Sequence, residues 1–244
     1  MKRVFCILVL CLFCALLPVK AQKSMSIAFY NVENLFDTSD RRNSFDDDFT
    51  PKGDLEWDAS RLNAKLDRIA EVFLMIDKNL PDIIGLCEVE NSFVLNLLVE
   101  HPKIKKANYR IIHFDSPDKR GIDNAILYKP EVFRLTAAYI YPVFLPTGET
   151  TRDLLFGEFI IKADKKQNSR LIFSVNHWPS RRGGDTSIME RIFTAQTLSH
   201  VVDSLHKTAD ERTNFVACGD FNDEPSDSSI KALLNLSLIH ISQG

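Results

Sequence analysis

Apolar positions along the chain fall into two kinds of pattern. At Ile27-Ala28-Phe29-Tyr30, Ile83-Ile84-Gly85-Leu86-Cys87 and Phe215-Val216-Ala217-Cys218 they form short, nearly unbroken runs, the mark of strands covered on both faces. Similar, shorter strands are expected at Tyr109 to Phe114, Asn124 to Tyr128, Leu155 to Lys162 and Arg170 to Asn176. Elsewhere the spacing changes to threes and fours. Leu62, Leu66, Ile69, Phe73 and Ile76 form one helical stripe behind Asp58 as N-cap, and Asn79-Leu80-Pro81-Asp82 ends it. A second helix is expected from Ser187, where Glu190 completes a capping box and Ile188, Ile192, Ala195, Leu198, Val202 and Leu205 make the buried stripe. Strands and helices alternate, with no repeat and no interdomain linker. This pattern predicts two packed sheets with helices outside.

Three of the continuous runs end in polar groups. Asn31 and Glu33 follow the first, Glu88 and Glu90 the second, Asp220 and Asn222 the third. Strand residues two apart share a face, so each pair is expected to project from one strand end. Carboxylates and amides gathered this way suit a hard dication, Mg²⁺ or Mn²⁺, handling phosphate. His177 ends another apolar strand, and Arg181, Arg182, Gly183 and Gly184 follow it. Guanidinium forks match phosphate oxygens and glycines allow close backbone approach, which makes Arg181 and Arg182 candidate phosphate contacts. His101, His113, His200 and His206 read instead as loop or helix-surface residues, with no zinc-ligand spacing. Arg152-Asp153 and the segment from Arg120 to Tyr128 suit a supporting role near phosphate or an ordinary surface ion pair equally well. Asp46-Asp47-Asp48 reads as a solvated loop.

Charge and composition narrow the choice of substrate and compartment. Residues 1–21 read as a secretory signal: Lys2 and Arg3 lead, Val4 to Leu17 form the apolar core, and Val19-Lys20-Ala21 precedes the cut. The apolar core is shorter than the roughly 20 residues that span a bilayer. A secreted chain, periplasmic or extracellular and free of stable membrane insertion, is therefore expected. The leader takes three of the 30 basic residues and none of the 33 acidic ones, so the net charge moves from −3 to −6. That excludes a polycation gripping nucleic acid through many phosphates; any polynucleotide must be held by a local basic patch and the metal. Of five cysteines, Cys87 and Cys218 remain, expected as buried free thiols inside strands. Residues 22–244 suffice for one large domain.

On these motifs the chain resembles the endonuclease/exonuclease/phosphatase superfamily of metal-dependent phosphoesterases, from about Ser24 to Leu234. Asn31, Glu88, His177, and the Gly-Asp-x-Asn residues Asp220 and Asn222 match its motifs in order. The resemblance implies a four-layer α/β/β/α sandwich of deoxyribonuclease I type and hydrolysis of a phosphoester by water. It further implies a metal held by Asn31, Glu88 and Glu33, with Asp220, Asn222 and His177 as the catalytic group. A secreted endonuclease acting as a monomer on nucleic acid is the first expectation. A phosphodiesterase or phosphatase acting on a lipid headgroup, inositol phosphate or other small phosphate is the second, and an inactive binding module the third. The superfamily's final Asp-His motif has no match: His240 follows Ile239 and lies 20 residues after Asp220. The domain is accordingly expected to be incomplete at its C-terminus, with Ser237 to Gly244 foreign to it.

Overall fold

The protein is represented by a computed structural model that describes residues 24–39, 46–162 and 169–236. The expected leader, Arg41, Arg42, His240 and the tail from Ser237 lie outside the described residues.

Among the described residues the continuous apolar runs become strands in two four-stranded sheets. The first contains β1 (Ile27–Leu35), β2 (Ile83–Val89), β3 (Arg110–His113) and β4 (Asp123–Tyr128), in the order β1-β2-β4-β3. The second contains β5 (Phe133–Tyr141), β6 (Leu154–Ile161), β7 (Arg170–His177) and β8 (Thr213–Asp220), in sequential order. Each sheet holds one parallel pair, β1 with β2 and β7 with β8. A parallel pair needs a long crossover. Helix α1 (Ala59–Ile76) supplies the first and α3 (Asp185–Thr208) the second, while α2 (Ser92–Val99) follows β2 and α4 (Ser228–Leu236) follows β8.

Three apolar clusters establish the layering. Ala28, Ile84 and Leu86 pack with Leu62, Leu66 and Phe73 of α1 and Leu95 of α2 on the outside of the first sheet. Phe156 and Ile172 pack with Leu198 and Val202 of α3 and Leu233 of α4 on the outside of the second. Ile83, Ile126, Phe159, Phe173 and Val175 fill the space between the sheets. The result is an α/β/β/α sandwich. Fully burying a Leu or Phe side chain contributes about 1.5–3 kcal/mol, so each layer is held by many such terms.

Helix α1 follows the sequence pattern: Asp58 accepts from the Arg61 amide at 2.9 Å, and Leu62, Leu66, Ile69 and Phe73 are buried. Ile76, in the last turn, is exposed. Helix α3 departs from expectation. It begins at Asp185 after Gly184, with no side-chain cap. The Ser187 hydroxyl donates to the Gly184 carbonyl at 2.8 Å and Glu190 accepts from Thr147 at 2.8 Å, so no capping box forms. Ile188 is exposed, while Ser187, Arg191 and Thr194 face inward. Ala195, Leu198 and Val202 are buried as the stripe predicts; only over the first turns does the buried face shift, where Arg191 has polar partners inside. Asp46, read as part of a solvated run, is buried. Cys87 and Cys218 are free thiols, with Cys218 only half-buried. Among the described residues no helix is long and apolar enough to cross a membrane.

Gly219 allows the two parallel strands of the second sheet to close at their site end. A Cβ there would stand 2.1 Å from the Asn176 carbonyl oxygen. Replacing Gly219 with Ala is expected to destabilise the fold by about 1–3 kcal/mol, as overpacking does, measured as a lowered urea midpoint. An unchanged midpoint would mean that β7 and β8 have room to separate.

Candidate active site at the converging strand ends

Strand parity decides which residues can meet between the sheets. In β1, Ala28 and Val32 face the helices, whereas Phe29 faces the second sheet; Asn31 continues the Phe29 face. In β7 and β8 the inner positions are Phe173, Val175, Val216 and Cys218, which His177 and Asp220 continue. His177 and Asp220 are also register partners across the parallel pair.

Glu88 has the wrong parity. Ile84 and Leu86 point to the helices, and a regular strand would send Glu88 after them. Instead Glu88 has φ +64°, the ladder with β4 slips between Cys87 and Val89, and Val89 takes the helix-facing place. A bulge of this kind re-aims a side chain. The Glu88 carboxylate now meets groups from both sheets: Asn31 Nδ2 donates to its Oε1 at 3.3 Å and to Asp220 Oδ2 at 3.0 Å, while His177 Nε2 lies 3.7 Å from Glu88 Oε1. The other two strand ends are also broken by left-handed residues, Glu33 (φ +54°), Asn34 (φ +63°) and Asn222 (φ +52°). Each such residue costs on the order of 1–3 kcal/mol, a strain that clusters at functional sites.

These kinks undo the expected pairing of residues two apart. Glu33 is exposed; its amide donates to Asn31 Oδ1 at 2.8 Å and its carbonyl accepts from Lys65 Nζ at 2.7 Å, but its carboxylate makes no hydrogen bond to Asn31, Glu88 or Asp220. Glu90 turns away to accept the Asp37 amide at 2.6 Å. Asn222 stays beside Asp220 by a turn: its amide donates to Asp220 Oδ1 at 3.0 Å and its Nδ2 to the Trp178 carbonyl at 3.0 Å. Asn31, Glu88, His177 and Asp220 form one connected group, and Asn222 joins it through Asp220.

Two buried guanidinium groups hold the loop after β7. Arg152 donates through Nη2 to the Trp178 carbonyl at 2.8 Å and through Nη1 to Asp118 at 2.9 Å. Arg191 donates to the Pro179 and Ser180 carbonyls at 3.3 and 3.2 Å and pairs with Asp223 at 2.8 Å. Three consecutive carbonyls are thereby fixed. Trp178 is fully buried, edge-on to Phe221 at 4.7 Å. Arg181 is committed to the same framework, donating to the Asn222 carbonyl and to Asp227, each at 2.8 Å; this holds it to the protein. Arg182 is exposed beside it.

The charges are uneven. Burial, reinforced by the Arg152 and Arg120 charges, pushes the His177 imidazole down to about 2. It is neutral at physiological pH, so its approach to Glu88 is not an ion pair. Burial also lowers the Lys65 ammonium, opposed by the Glu33 and Glu88 charges. Asp153 is raised by burial and then by the Asp123 charge. An apolar cavity of about 720 Å³, lined by Phe156, Val202, Phe215 and Leu233, lies on the helix side of the second sheet and shares Phe221 and Asp223 with the cleft at Asp220 and Asn222. The cleft at Asp220 and Asn222 is about 420 Å³.

The donor set suits a hard dication. Glu88 and Asp220 send oxygens toward one amide nitrogen, and carboxylate oxygens are what Mg²⁺ and Mn²⁺ take. Asn31, as oriented, directs its nitrogen and not its oxygen to them, and so acts as the link that aligns the two carboxylates. Lys65, Arg191 and the Trp178 carbonyl were not legible as site groups, because helix periodicity marks Lys65 and Arg191 only as polar positions.

A family model for the "Endonuclease/Exonuclease/phosphatase family" matches residues 26–239. The chain belongs to that family. Several solved structures share its fold. The human Nocturnin catalytic domain, with bound sulfate, is 21% identical with a TM-score of 0.54, over 68% of this chain and 59% of that one. D. rerio TDP2 complexed with a single-strand DNA product is 18% identical with a TM-score of 0.53, over 88% and 66%. A β-hairpin deletion mutant of Staphylococcus aureus beta toxin is 13% identical with a TM-score of 0.59, over 88% and 73%. The chain thus spans about three fifths of the Nocturnin domain. Comparison with curated protein sequences gives no match.

The Arg191–Asp223 pair yields a prediction with a sign. Burial raises Asp223, but hydrogen bonds from Arg191 and Ser229 and the charges of Arg191 and Arg181 outweigh it and hold the carboxyl below its ordinary value. Its contribution is complete above pH 3.8 and is lost as pH falls through the depressed value. Replacing Arg191 with Met strands a buried carboxylate and is expected to cost about 3–5 kcal/mol at neutral pH. The deficit should shrink as Asp223 protonates in acid. A thermal melt series against pH measures both, and a deficit constant down to the acid limit would remove the pair from the brace.

Proposed function

We propose that the chain is a divalent-cation-dependent hydrolase of phosphodiester bonds, with nucleic acid as its substrate class. The observation that carries this reading is the convergence of Glu88 and Asp220 on Asn31 Nδ2, with His177 from the second sheet beside Glu88. Glu88 would hold the cation, with Asp220 beside it and Asn31 as the link aligning the two. Mg²⁺ or Mn²⁺ bound there would neutralise charge developing on a phosphoryl oxygen.

The chain's own groups do the rest. Asp220, fixed by the Asn31 Nδ2 and Asn222 amide donors, offers a carboxylate that can orient an attacking water or take its proton. Neutral His177 can donate one hydrogen bond to a phosphoryl oxygen without adding positive charge. Arg182, exposed next to the braced loop, is a guanidinium available to substrate; Arg181 would have to leave Asp227. Phosphoryl transfer asks mainly for placement and charge neutralisation, which a cleft of carboxylates, amides and a cation supplies. Support for nucleic acid comes from family membership and from the TDP2 relative's bound DNA product. The acidic balance of the chain favours a second reading, a lipid headgroup or small phosphate as substrate. The leader-like residues 1–21 support placing the protein outside the cytoplasm, and it is taken to act as a monomer.

Incubation with plasmid DNA, sphingomyelin and inositol phosphates, with Mg²⁺ and with chelator, tests the reading. Cation-dependent nicking of DNA is expected; turnover of a headgroup or inositol phosphate instead would establish the second reading, and no turnover by folded protein would leave a binding module. Glu88→Gln should reduce turnover to the chelator background with the melting temperature retained. His177→Ala should lower kcat about 100-fold or more, the scale of one lost transition-state donor, with little change in KM. A loss of stability with activity per folded molecule preserved would make His177 structural.

A further inference from the structure

His113 sits at the end of β3 beside the start of β4, and its side chain is only 5% exposed. The expectation that it is a surface residue fails here. Its Nε2 lies 3.2 Å from Asp123 Oδ2 yet has no hydrogen-bond partner of proper geometry. A buried ring nitrogen 3.2 Å from a buried carboxylate oxygen, with no hydrogen bond completed, leaves the two lone pairs able to meet on one ion. Asp115 approaches from the loop, its Oδ1 4.0 Å from the other ring nitrogen, Nδ1, and one ligand atom each from His113, Asp115 and Asp123 lie within 4.8 Å of one another.

We propose that His113, Asp115 and Asp123 form a cation site separate from the Glu88 centre, selective for a borderline dication of the zinc class. One imidazole nitrogen and two carboxylates form the mixed N/O set that Zn²⁺ takes, whereas Mg²⁺ prefers oxygen alone. Donor atoms on one such ion stand roughly 3–3.5 Å apart, from bonds of about 2.0–2.2 Å, and the 3.2 Å separation of His113 and Asp123 already meets this. Asp115 is 87% exposed and can swing to close the set. Asp123 Oδ1 accepts from the Ser116 amide at 2.8 Å, an outer contact of the kind that orients a ligand.

The location gives the site a role. Asp123 is the register partner of Val89, one strand from the Glu88 bulge. The loop between His113 and Asp123 carries Asp118, which holds Arg152, and Arg120, whose charge reaches His177. A cation clamping the two ends of that loop would fix the groups that support His177 and the Trp178 carbonyl.

Competition between the full chain and a chromophoric chelator for Zn²⁺, with Mg²⁺ in excess, tests the proposal. One Zn²⁺ per chain is expected, with affinity unchanged in Glu88→Gln. Affinity should fall by about tenfold or more in His113→Gln and in Asp115→Asn, since even outer partners of a ligand act on that scale. Asp115 is exposed, so its replacement decides the matter even if the His113 variant misfolds by circular dichroism. Absence of stoichiometric Zn²⁺ binding, affinity unchanged in Asp115→Asn, or loss of the Zn²⁺ in Glu88→Gln would each overturn it.

Discussion

The reversal of the Glu88 side chain at the end of β2 is the constraint on which the site depends. Without the left-handed residue at Glu88, strand parity sends its carboxylate into the apolar layer under α1 and α2, where an unpaired charge costs several kcal/mol. With it, the carboxylate enters the gap between the sheets, where Asn31 and Asp220 approach from β1 and β8 and His177 from β7. Apolar side chains fill that gap along most of its length. The polar group therefore occupies its end, where strand pairing ceases and the sandwich opens.

Strained backbone persists only when its surroundings leave it no alternative. Here the surroundings are specific. Lys65 caps the Glu33 carbonyl at the kink of β1, and the Asn222 turn is held by the Trp178 and Asp220 oxygens. Arg152 and Arg191 satisfy the Trp178, Pro179 and Ser180 carbonyls. Both guanidinium groups are themselves paired with buried carboxylates, Asp118 and Asp223. The cost of burying four charges is thus met by geometry that also fixes the loop carrying Asn222's acceptor. Rigid placement of this kind suits a reaction that proceeds by alignment and charge neutralisation.

Much of this was legible from residue order. Continuous apolar runs located the strands that hold the site, and the α1 stripe identified its buried face, because burial on both faces and amphipathic burial leave different periods. The polar residues at the run ends pointed to Asn31, Glu88, His177, Asp220 and Asn222, which the structure brings together. What failed at the strand ends has one cause. The two-residue period holds only in regular strand, and left-handed residues at Glu33, Asn34, Glu88 and Asn222 end it where the chemistry begins. Hence Glu33 and Glu90 part from their expected partners, while Glu88 joins the site against parity. Arg181, chosen for its place after His177, is engaged by Asp227 and the Asn222 carbonyl. Arg191 on α3 shows the complementary failure: an amphipathic pattern read by polarity puts a guanidinium outside, and only its tertiary partners explain why it lies within.

Anomalous diffraction from crystals of the protein equilibrated with Mn²⁺ addresses the central claim most directly. The account predicts an anomalous peak within coordination distance of the Glu88 carboxylate and beside Asp220, on the side of the gap that His177 faces. A Mn²⁺-saturated crystal with no peak in contact with Glu88 would contradict it.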